Sequence, residues 1–156
     1  MEQVLKSQEL QSANKKRATI KSSVTKVANK LKASLSLDSG QKYDFTKINK
    51  RVIQDDYEKL KGNYCTLDKS HDSFVEKCLE AACEAGISQT EIDDFQSDQD
   101  QDFEKYRTVA LEVLGLYEFE YKTALDQYLL NIKEDKIGLL WCHSHVELRS
   151  IKVEVD

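Results

Sequence analysis

An all-α fold follows from three observations: proline is absent, glycine is scarce, and apolar residues recur three and four apart over most of the chain. At the usual abundance of about 5%, a chain of 156 residues with no proline and five glycines is depleted in both helix breakers and turn formers. The longest rhythm reads Tyr57, Leu60, Tyr64, Leu67, His71, Phe74, Cys78, Ala81, Ala85. Its alternation of threes and fours keeps one residue set on one helical face for about eight turns. The architecture expected is a long antiparallel helical hairpin, coiled-coil-like, with an additional basic N-terminal helix and a strand-like or disordered tail. Residues 1–135 form the helical domain in this reading, and residues 136–156 the tail.

The first helix is expected from about Val4 to Leu35. Leu10, Ala13, Ile20, Val24, Val27 and Leu31 keep the spacing, and Arg17 is the one charged interruption. Leu37-Asp38-Ser39-Gly40 reads as a stop, with Gly40 supplying the left-handed backbone that a helix end often needs. Asp44 is the expected N-cap of a second helix over residues 45–86, whose first apolar face is Phe45, Ile48 and Val52. Gly62 is a weak point within it, costing about 1 kcal/mol relative to alanine, and residues 66–71 are polar enough to permit a kink.

Gly86 marks the end of that helix. Ser88-Gln89-Thr90-Glu91 then has the capping-box pattern, with Ile87 and Ile92 placed for a hydrophobic staple. So short a turn returns a third helix antiparallel to the second. It is expected over residues 88–134, through Ile92, Phe95, Phe103, Tyr106, Ala110, Leu114, Tyr117, Tyr121, Ala124, Tyr128 and Ile132. Beyond Asp135 the pattern changes to strand-like alternation at Val146, Leu148, Ile151, Val153 and Val155.

A net charge of −5 hides a division. Residues 1–52 carry twelve basic and four acidic residues, a balance of +8, which leaves −13 for the remainder. The basic helix therefore suits either an acidic surface of this or another chain, or a polyanion. Lys15, Lys16, Arg17, Lys21 and Lys26 are the candidate polyanion contacts. They offer phosphate contacts only, because no aromatic residue precedes Tyr43 to stack on a base. Any RNA contact is thus expected to be weak and non-specific.

No apolar run has the length of a signal peptide or of a membrane span. The expectation is a soluble, intracellular, cytoplasmic protein that makes no membrane contact. Cys65, Cys78, Cys83 and Cys142 are then reduced thiols.

Three clusters invite chemistry and fit it poorly. Asp98, Asp100 and Asp102 have the opening spacing of a calcium loop, but Phe103 stands at the glycine position and Val109 at the final glutamate position. Cys142, His143 and His145 lack the second pair that a structural zinc site needs. His71 and Cys78 lie about 10 Å apart along one helix, too far for a nucleophile–base pair. The five glycines are too scattered to cradle a phosphate. No enzyme, cofactor, metal or small-molecule substrate is expected.

Arg17, Ile20, Lys21, Val24, Thr25 and Lys26 follow a basic, Ile-Lys, hydrophobe-Thr-basic order. This run resembles the amino-terminal helical segment of Gag-like polyproteins of BEL/Pao-type LTR retrotransposons. Asp102-Phe103-Glu104-Lys105-Tyr106 resembles the acid-rich aromatic opening of a later helix in that family, and the likeness spans roughly residues 10–130. It implies a structural role in assembly, with no catalytic residues to carry over. The expected function is non-enzymatic self-association into a homo-oligomer, through a seam at Ile20, Val24, Val27 and Leu31. The alternatives are a nucleic-acid-associated helical module and a generic coiled-coil adaptor.

Overall fold

The structure, a computed structural model, describes the backbone of residues 1–155 and the side chains of residues 1–141. A single turn, α1 (Glu2–Leu5), precedes α2 (Gln8–Leu35), α3 (Lys50–Glu84) and α4 (Gln89–Gly115). A π-helical segment, Leu116–Tyr121, then leads without a break into α5 (Lys122–Val155). The fold is all-α, as expected.

Helix ends follow local capping chemistry. Ser7 accepts from the Leu10 N–H at 3.3 Å, so α2 begins at Gln8 and α1 stays separate. Gly40 adopts φ +81° in the turn after α2. Asp44 is not the cap of α3. It accepts from the backbone and hydroxyl of Thr46, and this closes a local turn. Asn49 caps α3 instead, accepting from Val52 N–H, and the later start leaves Val52 exposed. Gly62 and residues 66–71 interrupt nothing, since α3 is continuous through them.

The predicted turn at Gly86 and Ile87 is present. Gly86 has φ +72°, its N–H donates to Cys83, and the Ile87 N–H donates to Ala82, closing α3 in a Schellman motif. Ser88 accepts from Glu91 N–H at 3.4 Å. The Glu91 carboxylate does not complete the box; it binds the ammonium of Met1 at 2.6 Å.

Cross-helix partners set the directions. Glu9 meets Lys77, Ser23 meets Asn63 and Lys30 meets Asp56, so α3 runs antiparallel to α2. Arg17 meets Gln99, Lys21 meets Asp102 and Lys32 meets Glu112, so α4 runs parallel to α2. The basic first helix therefore folds back as the third member of a bundle with the α3–α4 hairpin. Val24, Val27, Leu31, Leu60, Leu67 and Val113 are among the residues of the larger core, and Leu10, Phe74, Val75 and Cys78 form a smaller one near the hairpin turn.

Aromatic rings close the opposite end. Tyr57 stacks on Tyr117 at 3.9 Å, Tyr43 meets Tyr121 edge-on at 5.4 Å, and Phe45 stacks on Tyr128 at 4.9 Å. Tyr43 also donates its hydroxyl to the Leu35 carbonyl at 2.8 Å, tying the loop to the end of α2. The π-helical segment buries Tyr117 and Tyr121 together and leaves Phe119 in solvent.

The strand-like tail is corrected. The backbone is helical from Lys122 to Val155 and crosses residue 136 with no boundary. Helix hydrogen bonding passes on from the π-helical segment, and among the described residues no strand exists to pair with an extended tail. The side chains of the alternating residues, Val146 to Val155, lie outside the described residues, as do those of Cys142, His143 and His145.

Candidate functional site

The proposed self-association seam is spent inside the chain. Val24, Val27 and Leu31 are buried in the larger core, and Ile20 packs against it. Their apolar face meets α3 and α4 of the same chain, so it offers nothing to a second copy. This corrects the seam.

The basic residues divide. Lys15, Lys16 and Lys26 are exposed. Arg17 is 4% exposed and His71, on α3, is 3% exposed. The Arg17 guanidinium donates to Asn14 at 3.0 Å, to Gln99 at 2.8 Å and to His71 Nδ1 at 3.3 Å, and lies over the Phe74 ring. A guanidinium can only donate, so Nδ1 must be the acceptor and the imidazole proton sits on Nε2. That nitrogen faces Asp100 Oδ1 at 3.3 Å, and the imidazole stacks on Phe103. Burial lowers the Arg17 pKa, against the pull of nearby Asp102. Lys21 pairs with Asp102 and holds that carboxyl below its ordinary range. Arg17 and Lys21 are therefore corrected from polyanion contacts to structural groups, forming a polar layer between the two cores.

Asp98, Asp100 and Asp102 lie along α4, with Asp100 turned to His71 and Asp102 to Lys21. Among the described residues no group of His, Cys, Asp or Glu is placed to hold a metal, and no helix is long and apolar enough to cross a membrane.

Two buried acids give the bundle an alkaline limit. Burial pushes the Cys78 thiol up to about 11. The hydrogen bond from Tyr57 to Glu118, with burial, pushes that hydroxyl up to about 12. An unfolded chain releases these protons near their ordinary values of about 8.5 and 10. Between those values and the raised ones the folded state holds more protons, so stability is full below the lower values and falls as pH rises through the higher ones. Denaturation midpoints should therefore drop between about pH 9 and 12. Cys78→Ala should flatten the lower part of that fall, and a midpoint constant over the range would contradict the assignment.

What the sequence reading missed is the state of α5. Ala124, Leu125 and Tyr128 pack on the bundle, but Leu129, Leu130, Ile137, Leu139 and Leu140 are exposed. Leu139 and Leu140 keep 72% and 68% of their surface in solvent, and Phe119 keeps 77%. Helical spacing places Leu129, Leu130, Ile137 and Leu140 within roughly a third of the circumference, with Lys133 among them and Leu139 on the far side from Leu130. No protein family, curated protein or solved structure matches this chain.

Proposed function

We propose that the chain is a non-enzymatic helical module that self-associates, with α5 as the contact, in the manner the Gag-like resemblance implies. The observation carrying this reading is the exposure of Leu129, Leu130, Ile137, Leu139 and Leu140 on α5 beyond Tyr128. A helix that leaves its bundle is marginal in water on its own propensity, and most helical stability comes from packing an apolar face. Fully burying a leucine or isoleucine contributes about 1.5–3 kcal/mol, so pairing along α5 is favourable. A second copy fits this face because residues 129–141 hold two lysines and two acids, so copies meet without net repulsion.

Light scattering on the full chain, from low to high micromolar concentration, tests it. The mass should exceed the 18.0 kDa of one chain and rise with concentration. Ile137→Asp with Leu140→Asp should return it to a single chain without lowering the melting temperature, since neither residue belongs to the core. A wild-type protein that stays monomeric throughout would overturn the proposal.

A further inference from the structure

The groove between α2 and α3, on the side away from α4, has a composition that neither the core nor self-association requires. Two adjoining concavities run along it, of about 560 and 420 Å³. Lys15, Lys26 and Lys59 line the first, and Lys16 and Lys69 line the second. None of these five lysines has a carboxylate within ion-pairing distance among the described residues, whereas Lys21, Lys30, Lys32 and Lys77 each have one. Glu9 is the one carboxylate lining the two concavities, and it is taken by Lys77.

Hydroxyls supply further donors. Ser22 and Ser23 lie in the first concavity, and Ser12, Ser70 and Ser73 in the second. Ser23 Oγ accepts from Asn63 at 2.8 Å, which leaves its own hydrogen to donate outward. Lysines and hydroxyls on both walls, with almost no carboxylate, make a set of donors for phosphate oxygens. The net charge of −5 means that this is segregation and not general basicity.

We infer that the α2–α3 groove binds the phosphate backbone of a single-stranded nucleic acid, without reading its bases. The cations on α2 span Lys15 to Lys26, about 16 Å at 1.5 Å per residue, so the site is a short linear track. No exposed aromatic ring lines it, and base stacking therefore contributes nothing. A membrane surface fits less well, because no large exposed apolar residue lies on α2 to insert among lipids.

Fluorescence anisotropy of the full chain with labelled oligouridylate, across a salt series, tests the inference. Five lysines at roughly 0.7 each on a single strand give a slope of about −3.5 in log K against log salt. Oligoadenylate should bind equally. Lys15→Gln with Lys59→Gln should reduce the slope by about 1.4 and weaken binding at every salt concentration. Lys105→Gln with Lys122→Gln, which removes the same charge elsewhere, should leave the slope unchanged. Equal effects of the two pairs, absence of binding at low salt, or binding to phosphatidylserine vesicles in place of RNA would each overturn it.

Discussion

Replacing Val24 and Leu31 together by aspartate is expected to unfold the protein, not to release single chains from an assembly. Both side chains are fully buried among α2, α3 and α4. Each substitution removes apolar packing and places a carboxylate where neither water nor a cation reaches it. The cost is several kcal/mol per site, against a total stability of about 5–15 kcal/mol for a domain. Circular dichroism should show loss of most helix, and light scattering should report an expanded or aggregated chain. A compact, fully helical monomer would mean that these residues face a partner after all. The contrast with Ile137→Asp and Leu140→Asp is informative. Those residues lie outside the core, so their substitution is expected to spare the fold and, with α5 as the self-association contact proposed above, to lower the mass.

Residues that obey one helical period were legible in the sequence, and residues placed by two helices at once were not. Leu10, Val24, Val27 and Leu31, and Leu60, Leu67, Phe74 and Cys78, were placed on seams by spacing alone, and they are buried. The turn at Gly86 was readable because Gly86 and Ser88 each have one favoured local role there. The start of α3 was not, because Asp44 and Asn49 are both good caps, and in the fold Asp44 closes a turn with Thr46 while Asn49 caps the helix. Spacing shows which face is apolar, but not what covers it. Only the fold gives the seam on α2 a partner in the same chain and leaves the apolar residues of α5 beyond Tyr128 exposed. Lys59 and Lys69 escaped notice for a related reason: the antiparallel register is what brings them alongside Lys15, Lys16 and Lys26. The π-helical segment at Leu116–Tyr121 had no sequence signal that spacing arguments detect, since one extra residue in a turn leaves the tyrosine pattern intact.

Arg17 was visible as the charged interruption of an apolar seam, and two substitutions there should separate energy from geometry. Arg17→Ala removes the side chain lying over Phe74, opens a void between the two cores, and leaves His71 Nδ1 without its donor. The expected cost is about 3 kcal/mol. That corresponds to a melting temperature lower by roughly 6–12 °C for a domain of this size. Arg17→Met keeps much of the volume and the contact with Phe74 but removes a charge whose burial is unfavourable, as its lowered pKa indicates. Asn14 is exposed and Gln99 half-buried, so both can turn to water once the guanidinium is gone. Methionine, like alanine, leaves His71 Nδ1 without its donor, but it also removes the buried charge, so it should lie within about 1 kcal/mol of wild type. Thermal denaturation of both variants at neutral pH decides the matter. If methionine is as costly as alanine, the guanidinium itself stabilises the bundle through its bonds to His71, Asn14 and Gln99. If methionine is neutral, the polar layer contributes little stability, and its use is to align α2 with α3 and α4. The bonds to His71 and Gln99 join all three helices at one level, and a slip of one turn would leave a buried charge unpaired.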